Sequence, residues 1–216
     1  MKTTIKFLVA IVGLFFTIEA GAGGSANIGG SMIESTDSIN LSSAVKQHWE
    51  NDQWQYDIDS TYNYQKASGE ETTNKYYAAG KINYNLGTKH YVFALASIDN
   101  DKYRPDQQRL ITGTGYGYKI LRTKNLKVSN EFSVANLETD FESTAIWRNS
   151  LWFRYDASPT VVVTNKYLVE DGNYARNQTS VEYKFENGIT LGVGNLYTKD
   201  DYLSDNISTF NIGYQW

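Results

Sequence analysis

Histidine is the usual general base of an enzyme with a Ser-His pair, and the chain contains two histidines, His48 and His90. A serine hydrolase needs a serine within hydrogen-bond reach of its histidine. In a hydrolase that is embedded in a membrane and cleaves lipids, that pair must also lie on the side that faces the lipid. Ser43 lies five residues before His48 in a predicted strand, so the two side chains point to opposite faces. His90 lies at a predicted turn. We therefore expect no catalytic residues and no enzyme.

Two acidic clusters in predicted loops could bind Ca²⁺ through carboxylate oxygens. Neither cluster has the spacing of an EF-hand, and the absence of cysteine excludes thiolate metal sites and disulfides. We interpret both as solvated loop charges that divalent cations could bridge to lipopolysaccharide, and we expect no metal or cofactor. The clusters are Glu138, Asp140 and Glu142, and Asp200, Asp201 and Asp205.

Three alternate glycines, Gly113, Gly115 and Gly117, lie inside a predicted strand. No helix follows them, so they do not form the glycine-rich loop that binds phosphate at a helix N-terminus. Glycine within a strand often marks a bend or a close approach. We interpret these residues as relieving strand bending or keeping an interior lumen open.

Alternation of apolar and polar residues predicts twelve strands and an all-β fold. The third strand is the clearest example, because Trp54, Tyr56 and Ile58 alternate with Gln55 and Asp57. The predicted strands are 25–33, 38–50, 53–65, 74–86, 90–98, 108–121, 126–137, 144–155, 160–170, 174–185, 189–197 and 208–216.

The connections between these strands alternate in length, with short turns after even-numbered strands and mostly longer acidic loops after odd-numbered ones. This alternation is typical of outer-membrane β-barrels, in which an even strand number places both termini in the periplasm. The predicted outward positions carry almost no charge, unlike the exterior of a soluble lipocalin-like barrel. Aromatic residues near the periplasmic strand ends fit a membrane-interface girdle: Trp49, Trp54, Tyr84, Tyr91, Tyr118, Tyr155 and Trp216.

The N-terminus has the features of a secretory signal peptide. Lys2 and Lys6 precede an apolar run from Phe7 to Ile18, which is too short to span a membrane. The following Ala20-Gly21-Ala22 offers cleavage after residue 20 or residue 22. We therefore predict a signal peptide at residues 1–22 and one barrel domain at residues 23–216. The net charge of −4, without a basic stretch, argues against nucleic-acid binding.

The last strand ends on a terminal aromatic residue. Phe210, Ile212, Tyr214 and Trp216 alternate with polar residues or glycine. This pattern resembles the signal by which outer-membrane barrels are recognised for insertion. We therefore expect the barrel-assembly machinery to be a partner of this strand.

The stretch Gly113-Thr-Gly-Tyr-Gly-Tyr-Lys-Ile-Leu121, with Leu126-Lys-Val128 after a short turn, resembles the salt-induced outer membrane proteins (domain of unknown function 481). The resemblance extends loosely over the mature chain. It departs at residues 32–38, where members of the family often carry Gly-Asn before Thr or Ser. The resemblance implies an outer-membrane location and a barrel architecture, and the family has no established catalytic residues to carry over.

The predicted inward face carries more basic than acidic residues, and the hairpins predict which of them are neighbours. The predicted neighbours are Asp59 with Lys81, Glu131 with Arg148, Arg148 with Lys166, and Lys166 with Arg176. Arg148, Lys166 and Arg176 would then form a basic wall opposite Asp57 and Asp59. Such opposed charges orient a polar solute in a channel, although the same charges could instead pair across the lumen and fill it.

These observations favour a monomeric outer-membrane barrel that allows passive diffusion of small polar or anionic solutes. The alternative is a plugged structural barrel that supports the envelope under osmotic or salt stress. A lipid-modifying enzyme is the least favoured class, because the histidines lack a suitable serine. Lipopolysaccharide and outer-membrane lipid are the expected surroundings.

Overall fold

The computed structural model describes residues 23–33, 38–51, 53–103, 105, 107–171, 174–199 and 204–215. The predicted signal peptide, Trp216, and the acidic residues Asp200 and Asp201 lie outside the described residues. The described part of the chain contains no helix that is both long and apolar enough to cross a membrane.

Twelve antiparallel strands make up the described structure. Most of their bounds agree with the predicted strands to within two residues. The strands are β1 (Gly23–Ile33), β2 (Ser38–Glu50), β3 (Trp54–Ala67), β4 (Glu70–Asn85), β5 (His90–Asp101), β6 (Gln108–Arg122), β7 (Leu126–Thr139), β8 (Ser143–Asp156), β9 (Val161–Glu170), β10 (Tyr174–Lys184), β11 (Ile189–Lys199) and β12 (Ser204–Gln215).

Each strand pairs with its sequence neighbours, and β1 pairs with β12, so the sheet closes into a barrel. The closing pair joins Ser25–Gly29 to Asn211–Gln215. Closure leaves no sheet edge, which is what a sheet needs in a medium without water. The predicted twelve-stranded antiparallel barrel is confirmed. We call the barrel end with Gly23 and Gln215 the terminal end and the opposite end the loop end.

The hairpin between β3 and β4 is longer than predicted. A polar loop was expected at residues 66–73, but the chain turns at Ser68 and Gly69, with φ angles of 52° and 85°. Left-handed conformations at two central residues suit a tight hairpin turn, whose twist matches that of the strands. The polar residues around this turn continue the strands beyond the apolar part of the barrel, which is why their composition suggested a loop.

The outward face exposes large apolar side chains, as expected of a barrel surrounded by lipid. The alternate residues Trp54, Tyr56 and Ile58 of β3 are each about two-fifths exposed, and Phe210 and Ile212 of β12 are 55% exposed. The alternate positions face a lumen that contains buried polar residues, including Asn83 and Ser97. The faces predicted for β3 and β12 are therefore correct.

A row of amide and hydroxyl side chains crosses the outward face of β9 to β12. Asn165 Nδ2 donates to Asn177 Oδ1 (2.6 Å) and to Thr179 Oγ1 (2.8 Å). Asn195 Nδ2 donates to Asn206 Oδ1 at 2.6 Å. These side chains satisfy one another's hydrogen bonds, which limits the cost of placing polar groups on this face.

The glycines of β6 accommodate aromatic rings inside the lumen. A Cβ atom at Gly117 would collide with the Tyr91 ring, and one at Gly115 with the Phe93 ring. The ring centroids of Tyr91 and Phe93 are 6.2 Å apart. At Gly115 and Gly117 the interpretation that the glycines keep the lumen open is therefore wrong, because the rings occupy the space. Tyr91 was also assigned to the outer girdle, but it is 5% exposed and faces inward.

Candidate functional site

The seven charged residues predicted to line the lumen all lie on the inward face, but three of their four predicted pairs of neighbours are wrong. Asp57, rather than Asp59, pairs with Lys81. Two features cause this: the turn is centred between Ser68 and Gly69, and a bulge between Gln65 and Lys66 shifts the register by one residue. Together they move each partner beyond the bulge by two residues relative to the prediction. A shift of two preserves the face of every side chain and changes its neighbour.

The hairpins on the opposite wall are displaced as well, which moves the partner of Glu131 by two residues and that of Arg148 by four. Arg148 and Lys166 are not neighbours, whereas Lys166, which lies opposite Gln178, is a diagonal neighbour of Arg176 on the same face. The basic wall of three adjacent residues therefore does not form as predicted. The observed partners are Ser150 for Glu131, Glu170 for Arg148, Trp152 for Lys166, and Leu168 for Arg176.

Arg148 is paired with a carboxylate that was not among the predicted site residues and that it shares with Arg109. Glu170 Oε1 lies 2.8 Å from Arg148 Nε, and Glu170 Oε2 lies 2.8 Å from Arg109 Nη2. All three side chains are less than 10% exposed. Glu170 ends its strand, but it lies four residues beyond Lys166 on the same face, so extending the alternation would have identified it. We call these residues the buried triad.

Lys81 and Glu131 form a second ion pair, which crosses part of the lumen. Lys81 Nζ lies 2.6 Å from Glu131 Oε1, although β4 and β7 are three strands apart. The Tyr91 hydroxyl donates to the same carboxylate oxygen at 2.7 Å. Glu131 is therefore bound to Lys81 and does not neutralise Arg148 as predicted.

Asp57 is held by neighbouring side chains near the terminal end. His48 Nδ1 lies 2.7 Å from Asp57 Oδ1, and Gln55 Nε2 and Asn83 Nδ2 donate to Oδ2 at 3.0 and 3.3 Å. His48 thus contributes to the lumen as a partner of a carboxylate. Because these contacts occupy Asp57, it is not free to oppose the basic wall.

Arg176 and Tyr77 meet across the lumen. Arg176 lies on β10 and Tyr77 on β4, six strands apart in a barrel of twelve. The guanidinium carbon is 4.3 Å from the ring centroid, a cation–π contact. A similar contact of 4.4 Å joins Arg109 of the buried triad to the Tyr174 ring. We call the contact between Arg176 and Tyr77 the lumen strut.

Lys166 and Asp59 also lie on opposite walls, on β9 and β3. Lys166 is exposed to the lumen and interacts electrostatically with Lys81, Asp59, Glu131 and Arg176. Within the described part of the chain, neither Lys166 nor Arg176 forms an ion pair. Asp59 Oδ1 is buried and has no hydrogen-bond partner. Among the residues that the structure describes, three of the seven predicted lumen charges, Asp59, Lys166 and Arg176, therefore form no ion pair.

At the loop end, the turn after β5 is attached to the hairpin of β3 and β4. Lys102 Nζ lies 2.8 Å from Glu71 Oε1, and the Tyr103 hydroxyl donates to the Glu71 carbonyl oxygen at 2.7 Å. The hydrogen bond to Glu71 raises the pKa of Lys102. These contacts hold one side of the barrel rim in place.

The described residues offer no arrangement typical of a hydrolase or a metal enzyme. His90 contacts the Tyr116 hydroxyl on the exposed side of the barrel, and His48 contacts Asp57 and Glu50. Across the described ranges, no three histidine or acidic side chains are grouped as metal ligands would be.

The model of a protein family described as "Protein of unknown function, DUF481" matches residues 22–216. The chain belongs to this family. The resemblance suggested by the glycine-rich sixth strand is thereby confirmed. No curated protein matches the sequence.

Solved structures with a similar fold include outer-membrane channels. The porin KdgM, in complex with disordered oligogalacturonate, is 8% identical with a TM-score of 0.52, and the match covers 90% of this chain and 98% of that one. The porin NanC is 13% identical with a TM-score of 0.54, and the match covers 87% and 97%. At these identities the likeness establishes a shared fold and leaves the solute open.

Proposed function

We propose that this protein is an outer-membrane channel for the passive diffusion of small anionic solutes. Its termini then lie in the periplasm and its loop end faces outward, as in other barrels with an even number of strands. It performs no catalysis and needs no cofactor. The barrel is inserted as a monomer, with the outward residues of β12 recognised during assembly.

The observation that carries this proposal is the unpaired state of Lys166 and Arg176. Lys81, Arg109 and Arg148, by contrast, contact carboxylates directly. Uncompensated positive charge in a narrow, low-dielectric passage raises the local concentration of anions and favours their entry. The fold shared with the two porins is consistent with this role.

The lumen strut supports a second candidate function, a plugged structural barrel. Arg176 and Tyr77 meet over the full width of the barrel, and the pair of Lys81 and Glu131 fills space beside the Tyr91 ring. A barrel filled in this way would strengthen the envelope without transporting solutes. The two functions differ in whether ions cross the folded protein.

Conductance in a planar bilayer distinguishes the two functions. We expect wild-type protein to conduct and its reversal potential across a KCl gradient to show anion selectivity. Lys166→Glu and Arg176→Glu should each shift the reversal potential toward cation selectivity. Lys199→Glu is the matched control, because this exposed residue ends β11 on the outward face.

Unchanged selectivity in both lumen variants would contradict the role of Lys166 and Arg176. The absence of current from folded protein would favour the plugged barrel. In that case, deletion of the protein should weaken the envelope under osmotic stress.

A further inference from the structure

Asp59 carries an unsatisfied acceptor inside the lumen. Its Oδ1 atom is buried without a hydrogen-bond partner, a costly state for a polar atom. The lumen carboxylates of Asp57, Glu131 and Glu170 each have partners. Lys46 is the cross-strand neighbour of Asp59 on β2, but no ion pair joins them in the described structure. Asp59 therefore has a free position for a hydrogen-bond donor.

The wall opposite Asp59 offers positive charge for an anion. Lys166 lies six strands away and interacts electrostatically with both Asp59 and Arg176. Arg176 lies over the Tyr77 ring, which attracts the positive charge of the guanidinium group but does not neutralise it as a carboxylate would. An arginine in this state retains N–H donors for a carboxylate, which it can bind through two parallel hydrogen bonds.

These groups together define the chemistry of a ligand. A simple carboxylate would satisfy the two cations and leave Asp59 Oδ1 without a partner. A ligand with a hydrogen-bond donor in addition to its carboxylate would give a partner both to the two cations and to Asp59 Oδ1. Because sites with buried polar groups reject analogues that cannot pair with them, Asp59 can discriminate between these ligands.

We propose that Asp59, Lys166 and Arg176 form a solute-binding site for a small carboxylic acid that also carries a hydroxyl or ammonium group. The carboxylate binds Lys166 and Arg176, and the hydroxyl or ammonium group donates to Asp59 Oδ1. This site rests on the proposed function, since the solute reaches it through the lumen.

Three probes of equal chain length test the site. Gluconate carries hydroxyls, 6-aminohexanoate carries an ammonium group, and hexanoate carries neither. Each is titrated into folded protein in detergent micelles, and binding is followed by the fluorescence of Trp152, the cross-strand neighbour of Lys166. Trp152→Phe identifies the contribution of this residue to the signal.

We expect wild-type protein to bind gluconate and 6-aminohexanoate at least about tenfold more tightly than hexanoate, the difference that one good hydrogen bond supplies. Asp59→Ala should abolish this preference. Asp59→Asn retains an acceptor oxygen, so it should keep the preference for gluconate and lose that for 6-aminohexanoate. Glu182 lies six residues beyond Arg176 on the same face of β10. Glu182→Ala, which removes this lumen acid, is the control and should change neither preference.

Equal binding of the three probes to wild-type protein would overturn the proposal, as would no binding at all or a preference that survives in Asp59→Ala. Parallel conductance measurements separate this proposal from the channel function. Selective binding without current would support the binding site and contradict the channel function. Current together with equal binding of the three probes would support the channel function and contradict the binding site.

Discussion

Arg176 and Tyr77 project from opposite walls of the barrel and meet with 4.3 Å between the guanidinium carbon and the ring centroid. Such a contact contributes about 0.5 to 2 kcal/mol. Separating a buried, hydrogen-bonded ion pair costs more, about 3 to 5 kcal/mol when one partner is removed. The lumen strut is therefore easier to open than the buried triad, which makes it the candidate gate.

Tyr77→Ala should increase single-channel conductance, because it removes one side of the lumen strut. Tyr77→Phe retains the ring and should conduct like the wild type. Planar-bilayer recordings of the two variants provide the measurement. Equal conductance of Tyr77→Ala and the wild type would show that the strut does not limit current.

Glu170→Gln should destabilise the barrel by about 3 to 5 kcal/mol, because it leaves Arg109 and Arg148 buried without a countercharge. The free energy of unfolding in urea, measured in lipid vesicles, tests this expectation. The matched control is Glu138→Gln, which removes a charge from an exposed side chain and should change stability by less than about 0.5 kcal/mol. Similar stability of the two variants would contradict a structural role for the triad.

Gly117→Ala should destabilise the barrel by about 1 to 3 kcal/mol, since the added methyl group collides with the Tyr91 ring. Gly80→Ala is the control, because a Cβ atom there meets nothing within 4 Å. Both values come from the same unfolding titration. If the two substitutions had the same effect, close ring packing would not explain the glycine in β6.

Tyr214→Ser should lower the amount of folded protein in the outer membrane, because Tyr214 belongs to the predicted insertion signal and lies on the outward face of β12. Gln215→Ser changes the adjacent residue on the opposite face and should have little effect. Quantification of heat-modifiable barrel in membrane fractions gives the comparison. Equal loss in both variants would indicate general destabilisation of β12.

The alternation of side chains was enough to predict the strands and their faces. The bounds of β2, Ser38–Glu50, agree with the prediction at both ends. Asp57, Asp59, Lys166 and Arg176 were placed on the inward face without any knowledge of their neighbours. This succeeds because a strand has a period of two, which depends only on local sequence, and a membrane requires one continuous apolar face.

Only the tertiary structure decided which charges are neighbours. The centre of each hairpin depends on the conformation of a few turn residues, such as Ser68 and Gly69, and a small displacement changes every partner along the strand. Contacts across the lumen, including Arg176 with Tyr77, depend on closure of the barrel and on how far side chains reach across it. The alternation of residue types along a strand does not determine those distances. The sequence by itself therefore determined the barrel and its faces, whereas the folded chain decided which of its charges form no ion pair.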